Sequence, residues 1–314
     1  SLRNSVGPVS SVESKIKEMT NSVYGRLSLS WRNLIFLEAT GRNDWSSTLP
    51  KENRSYFYPS LSGSVVVSDL FEKPQWLNLL KVRGSQAVTK QILDPYEINQ
   101  AFTVTANVWD GLSTGSYPNS IKDFSISPTQ RDLTEVGLDF SVLNNRLYGD
   151  YTRYYRREHN AITSATISGA TGFTSRLINT KEETMTKGHE ITIGGTPVKK
   201  EHFQWDISGN LSQNLKYYHK LDPDYSADAL YVKVGERTDH YVTRDWERSP
   251  DGQIVHNASG MPISAVHESR LFGYTAPKWI WGLTNNFRYH DFALSFSLDG
   301  RITVSYTHLR AHET

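Results

Sequence analysis

The sequence predicts an all-β protein in which a long run of antiparallel strands dominates. Apolar and polar residues alternate with a period of two in one segment after another. In 202–214, for example, Phe203, Trp205 and Ile207 alternate with polar residues such as Asp206. Amphipathic helical stretches of comparable length are absent from the sequence. Short and long links also alternate between the segments. This alternation indicates antiparallel hairpins with their tight turns at one end of the sheet and their long loops at the other.

Ten segments carry the alternating pattern and are predicted as strands: 22–32, 34–42, 60–69, 77–88, 131–142, 146–157, 187–196, 202–214, 279–289 and 291–303. Each is close to the roughly 9–11 residues that a tilted membrane strand needs. Strand 146–157 is the least regular, because Arg153 shares a face with Leu147 and Tyr151. We expect Arg153 to lie near the outer rim, where a long cationic side chain can reach the interface.

The links between these strands fall into two classes. Short links lie at Asn33, 71–76, 143–145, 197–201 and His290. Long links without predicted structure lie at 43–59, 89–130, 158–186 and 215–278. Outer-membrane barrels have short periplasmic turns and long extracellular loops, whereas a soluble sandwich would have to explain long loops at one end only. The sequence therefore predicts an antiparallel transmembrane β-barrel fragment, with outer-membrane lipid on its apolar face.

Composition restricts the function classes. The chain has 34 basic and 33 acidic residues and a net charge of +1, which gives no electrostatic signal for nucleic acid. No apolar run approaches the roughly 20 residues of a membrane-spanning helix. The 17 Tyr, 12 Phe and 8 Trp suit the aromatic girdles of a barrel. A soluble carbohydrate-binding β protein also favours aromatic residues and remains an alternative.

No pattern in the chain points to catalysis or to a cofactor. There is no nucleophile elbow, no phosphate-binding loop and no dinucleotide fingerprint, so we expect no enzyme. Cysteine is absent, which excludes thiolate metal sites. Asp222, Asp224 and Asp228 lack the alternating ligand order of a calcium loop and are predicted to form a solvated turn, so no metal is predicted.

A series of motifs links the chain to a known family. The most specific pair is GRNDWSSTLP at 41–50 with SYFYPS at 55–60. Further segments follow in order: WLNLLKVRGS at 76–85, TEVGLDF at 134–140, NNRL at 144–147, TKGHEIT at 186–192, FQWDISGN at 203–210 and FRYHDFALSF at 287–296. In these segments the chain resembles the SusC/RagA family of TonB-linked outer-membrane transporters. The segments 88–94 and 250–262 depart from the family pattern, which leaves the shape of two external loops open.

The resemblance implies how the chain is organised. Residues 1–304 would form part of the C-terminal half of a larger barrel, which has 22 strands in the family. The plug, the TonB box and the small N-terminal domain are expected outside this chain. Residues 305–314 resemble translated sequencing-adapter read-through and are expected to be an artefactual tail.

The resemblance also implies a function in the outer membrane of a Gram-negative cell. The parent protein would act with a SusD-like surface lipoprotein to import an oligomeric nutrient. A glycan is the expected cargo, and a peptide is the alternative. The TonB–ExbB–ExbD complex would drive import through the missing N-terminal part. A siderophore or cobalamin receptor remains an alternative within the transporters.

Two groups of residues are candidates for sites. The long loops carry aromatic and polar residues that suit sugar or peptide capture, because aromatic faces stack on the cargo and polar groups orient it. These candidates are Trp109, Asp110, Tyr117, Arg244, Asp245 and Trp246. The family motif contributes Arg42, Asp44 and Trp45, which we expect to order the barrel rim more than to contact substrate.

Overall fold

A computed structural model describes residues 15–109 and 112–302. The strands of these ranges, in chain order, are β1 (Thr20–Trp31), β2 (Ile35–Ser46), β3 (Ser55–Val66), β4 (Leu77–Gln91), β5 (Thr103–Trp109), β6 (Leu112–Ser116), β7 (Ser120–Ile121), β8 (Thr129–Val142), β9 (Leu147–His159), β10 (Ile162–Thr166), β11 (Ser175–Asn179), β12 (Glu183–Lys199), β13 (Phe203–Lys220), β14 (His240–Trp246), β15 (Ser264–Tyr274), β16 (Trp279–Tyr289) and β17 (Phe292–Ile302). Short 3-10 turns lie at Val67–Asp69 and Gly169–Thr171. No helix in the described ranges is long and apolar enough to cross a membrane.

Ten strands form one antiparallel sheet in the order β1-β2-β3-β4-β8-β9-β12-β13-β16-β17. These ten strands are called the wall strands. Each wall strand pairs with the next wall strand along the chain, so the sheet is an up-and-down meander. The ten predicted strands are therefore confirmed, including the irregular 146–157. The last part of predicted strand 60–69 is wrong, because the chain turns at Val67–Asp69.

The register separates the side chains of the sheet into two faces. On one face the Trp205 and Phe287 rings are stacked at 5.7 Å, and Phe296 follows at 6.1 Å from Phe287. On the other face Ser295 donates a hydrogen bond of 2.6 Å to Asn286 on the neighbouring strand. The predicted alternation is confirmed, since the aromatic row and the polar row occupy opposite faces.

The apolar face is open to its surroundings along the whole sheet. Leu29 is 54% exposed, Val136 57% and Leu294 61%, although they lie on strands far apart in the sheet order. Soluble monomers rarely expose a continuous apolar surface of this extent. A lipid-facing surface accounts for it, because an apolar side chain in hydrocarbon is not exposed to water.

The polar face carries ion pairs between neighbouring strands. Arg83 contacts Asp139 at 3.4 Å and donates to the Thr152 hydroxyl at 2.7 Å. Arg26 pairs with Glu38 at 2.5 Å on the first hairpin. Charges that satisfy one another in this way suit the lumen side of a barrel, whereas hydrocarbon would make them costly.

Tight turns close one end of the sheet. Arg32 and Asn33 adopt positive φ values of 51° and 55° between β1 and β2, and His290 has a φ of 49° between β16 and β17. Asn144 and Asn145 occupy the same left-handed region between β8 and β9. Asn tolerates this conformation better than most residues, so the hairpins reverse within a few residues.

The long links differ from the prediction in two ways. The predicted link 43–59 shrinks to 47–54, because β2 and β3 continue beyond the alternating segments. The other three are not structureless, since they contain β5 to β7, β10 and β11, and β14 and β15. Polar residues at the rim hide these strands in the sequence, because alternation is visible only where one face is apolar.

Candidate functional site

The long links combine into a structured layer at one end of the sheet. They contain a β5-β6 hairpin, a three-stranded sheet in the order β10-β11-β7, and a β14-β15 hairpin. Most of the buried apolar side chains in the described residues belong to these links: Leu49, Leu93, Ile126, Ala165 and Ile178. The loop layer, defined as residues 47–54, 92–109, 112–128, 160–182 and 221–278, therefore has a small core of its own.

Polar contacts join separate loops of this layer. Asn53 donates from Nδ2 to the Ser125 and Ile126 carbonyls at 2.8 and 3.0 Å. Arg176 donates to Asp123 at 2.7 Å, across 53 positions of the chain. The Ser125 hydroxyl and amide, with Arg176, hold the pKa of Asp123 below its usual range despite some burial. These contacts fix the loops against one another, because the donors and acceptors of the Asn53 and Arg176 hydrogen bonds come from different loops.

Asp222 joins the longest loop to the loop that precedes β12. The predicted solvated turn is wrong at this residue, because Asp222 is only 3% exposed. Its carboxylate accepts from the Thr180 hydroxyl at 2.9 Å and from the Lys181 and Asp224 amides at 2.7 and 3.0 Å. Burial opposes ionisation, but these hydrogen bonds hold the pKa of Asp222 below its usual range. Within the described ranges, no group of three or more His, Asp or Glu side chains is placed to hold a metal ion.

An exposed aromatic cluster stands on this layer and consists of Phe102, Tyr117 and Phe173. The Phe102 and Tyr117 rings meet edge to face at 5.3 Å, and Phe173 lies 5.4 Å from Tyr117. Phe102 is 66% exposed and Tyr117 60%. The backbone of Asn119 accepts from the Thr174 amide at 2.9 Å and so joins the two loops. The sequence predicts Tyr117 as a site residue but gives no signal for the two phenylalanines, which lie 71 positions apart along the chain.

The β14-β15 hairpin presents a second part of the predicted site. Arg244 and Trp246 alternate with Asp245 and lie on the exposed face of β14. Asp245 is turned away from them and accepts from the Trp246 amide at 2.8 Å and from Arg270 at 3.1 Å. The Trp246 amide, with Arg270, holds the pKa of Asp245 below its usual range. Arg244 and Trp246 are thus available for contact, whereas Asp245 is engaged in ordering the hairpin.

Trp109 and Asp110 are the two remaining predicted residues. The backbone of Trp109 ends β5 and pairs with Leu112 of β6. Asp110 lies outside the described residues. Their role in binding stays a prediction.

The family motif forms a network at the rim of the barrel. Arg42 donates to Asp44 at 2.7 Å and to the Ser22 hydroxyl at 3.0 Å. The Tyr58 hydroxyl donates to the other oxygen of Asp44, which is 5% exposed. Trp45 points to the apolar face, in register with residues of β1 and β3. This geometry suits a role in joining β1, β2 and β3 at the loop end.

A polar cleft lies below the loops on the lumen side. Its volume is about 380 Å³. Glu158 lines it and accepts from Arg131 at 2.5 Å and from Lys216 at 3.0 Å. The same cleft is lined by Asp94 and Glu97 from the loop after β4. The sequence gives no signal for this cleft, because its residues lie on separate strands and loops and carry no motif.

The fold and the loop layer define a class of protein. An antiparallel meander with an exposed apolar face, ion pairs on the opposite face, tight turns at one end and structured loops at the other is part of an outer-membrane β-barrel. All-β architecture and membrane location are thus confirmed. They exclude the soluble carbohydrate-binding protein considered from composition.

Comparison with known proteins specifies this class. No family model matches the chain. It is 24% identical over 310 residues to TonB-dependent receptor P26 of Formosa agariphila, covering 89% of this chain and 31% of that protein. It is 26% identical over 308 residues to TonB-dependent receptor SusC of Bacteroides thetaiotaomicron, covering 88% and 30%. The chain thus spans about a third of the length of these curated relatives.

Solved structures agree on the fold. The RagAB peptide transporter superposes with a TM-score of 0.75 at 17% identity, over 90% of this chain and 33% of that chain. The predicted resemblance to TonB-linked outer-membrane transporters of the SusC/RagA type is confirmed by these similarities. The named relatives are receptors and transporters.

Proposed function

We propose that the parent protein imports an oligomeric nutrient across the outer membrane by a TonB-dependent route, and that this chain supplies barrel wall and external loops. The observation that carries the proposal is the loop layer: a structured platform that presents exposed aromatic rings at the long-loop end of a barrel wall. Similarity to receptors named TonB-dependent supports the energy source.

The partners follow from the same proposal. A SusD-like surface lipoprotein would cover the loop layer and hold cargo against it, because the layer is open to the external side. TonB with ExbB and ExbD would act through a part of the parent protein beyond this chain. The similarity to SusC and to RagAB supports this arrangement.

A glycan is the cargo that the loop layer fits best. Phe102 and Tyr117 expose ring faces and edges to solvent, and aromatic faces stack on the apolar faces of sugars. Arg244 and Trp246 add a cation and a ring on the β14-β15 hairpin. A peptide, which RagAB is named for, is the second candidate. A siderophore or cobalamin is disfavoured by the similarity to SusC.

The test uses the full-length parent protein in its native membrane. Phe102→Ala with Tyr117→Ala should reduce binding of the cognate oligosaccharide by about tenfold or more, because truncating an aromatic anchor of a binding surface typically costs more than about 1 kcal/mol and two rings are removed. Phe124→Ala is the matched control, since Phe124 is 67% exposed in the same loop but lies outside the aromatic cluster.

Uptake of labelled oligosaccharide and of labelled peptide would be measured in parallel with barrel folding by heat-modifiable migration. Loss of oligosaccharide uptake in the double variant alone supports the proposal. Unchanged uptake in a folded double variant would remove the aromatic cluster from the site. If the parent protein takes up peptide but no oligosaccharide, and the double variant loses peptide uptake, the cargo belongs to the peptide class.

A further inference from the structure

The apolar face changes its chemistry toward the loop end of β9, β12 and β13. Nearer the turns, the row across these strands is Tyr151, Ile191 and Leu211. The next rows contain Arg153 beside His189, and then Lys187 beside Tyr155. These two rows thus place two cations on the lipid-facing surface, and Arg157 in the row beyond them is paired with Glu183. This basic patch is defined as Arg153 and Lys187.

The depth of the patch can be worked out along β13. Lys187 is in register with Leu215, and Trp205 lies on the same face ten residues earlier. A rise of about 3.3 Å per residue and a tilt of about 40° place them about 25 Å apart along the membrane normal. That distance equals the height of the lipid-facing band. With Trp205 near the turn end, the basic patch therefore lies at the external headgroup level.

Aromatic side chains around the patch agree with this depth. Arg153 lies over the Tyr155 ring at 4.8 Å and donates to its hydroxyl at 3.1 Å. Lys187 Nζ lies 5.5 Å from the centre of the Tyr217 ring. The Trp279 ring lies 6.0 Å from His189. Tyr and Trp at the edge of an apolar band form the interfacial girdle of a barrel.

The nearby acidic groups are already paired with other residues. Glu183 accepts from Arg157 at 2.6 and 2.8 Å. Asp132 lies 3.0 Å from His159. Among the described residues, no carboxylate lies within 4.0 Å of Arg153 or Lys187. The patch therefore has an uncompensated positive charge on a surface that contacts lipid.

We propose that Arg153 and Lys187 bind the phosphate of an anionic lipid in the external leaflet. Charge complementarity favours this occupant, and cations near a membrane surface attract anionic headgroups. The adjoining row of Tyr151, Ile191 and Leu211 would contact the acyl chains of the same lipid. Free phosphate lacks these chains, so the lipid is the occupant that uses both parts of the surface.

The experiment uses the full-length parent protein purified in detergent, with retained lipid measured by native mass spectrometry. Phosphatidylglycerol, phosphatidylcholine and inorganic phosphate are the probes. The variant is Arg153→Gln with Lys187→Gln, and the matched control is Lys81→Gln, which removes one cation from the lumen face. At about fivefold for each charge, the double variant should lose about 25-fold in phosphatidylglycerol retention.

We expect the parent and the control to retain phosphatidylglycerol in preference to phosphatidylcholine, without competition from inorganic phosphate. Equal retention of the two lipids by the parent would overturn the proposal. Undiminished retention of phosphatidylglycerol by the folded double variant would also overturn it, as would displacement of the lipid by inorganic phosphate. A double variant that changes its oligomeric state without losing lipid would overturn it as well. If the double variant fails to insert, Arg153→Lys with Lys187→Arg must keep the preference.

Discussion

A matched pair of substitutions on β13 tests the lipid-facing assignment quantitatively. Leu211 lies on the apolar face in register with Ile191 and Trp281. It is six residues from Trp205, which corresponds to about 15 Å along the membrane normal and places it near the middle of the apolar band. Asn210 is its chain neighbour and points to the opposite face.

Leu211→Arg should destabilise the inserted barrel by about 2–4 kcal/mol, the cost of a cation near the bilayer midplane. Asn210→Arg introduces the same charge on the lumen face and should change stability by about 0.5 kcal/mol or less. Both free energies of unfolding would be measured by urea titration of the full-length protein in lipid vesicles. Equal destabilisation by the two substitutions, or a neutral Leu211→Arg, would refute the assignment of faces.

Three further predictions concern the wall and the loops. Gly188→Ala should cost about 1–3 kcal/mol in the same titration, because its Cβ would lie 2.0 Å from a tyrosine ring; Gly25→Ala, with open space, is the control. Asp222→Asn should speed proteolysis of the loops near neutral pH, and Asp228→Asn should not. Since folding lowers the pKa of Asp222, its contribution is present above about pH 4 and should be lost as the pH falls through the folded-state pKa. Deleting most of 221–278, which leaves β13 intact, should abolish nutrient uptake while heat-modifiable migration persists; normal growth on the cognate substrate would exclude this loop from capture.

The barrel wall could be predicted from sequence because each strand has two different environments. Phe203, Trp205 and Ile207 face lipid and their neighbours do not, so a local pattern of period two locates the strand. The same logic underestimates strand length at the rim. β13 continues to Lys220, where both faces are polar and alternation carries no information.

The loop layer could not be predicted in the same way. Phe102 and Phe173 are 71 positions apart, and only the folded loops bring both rings to Tyr117. Asp222 is buried by contacts with Thr180 and Lys181 that no local pattern announces. The residue types alone predicted that aromatic side chains in the loops bind the cargo. Which rings lie together depends on contacts between loops that are distant in sequence.

The shared core of the loops has an evolutionary consequence. Ile126 is 1% exposed, and the carbonyl of this residue accepts from Asn53, which belongs to the loop between β2 and β3. A change of length in one loop would therefore disturb the packing of its neighbours. Related transporters should therefore change their cargo by replacing several external loops together, so that the shared loop core stays packed. The strands of the barrel wall should instead accumulate substitutions one at a time.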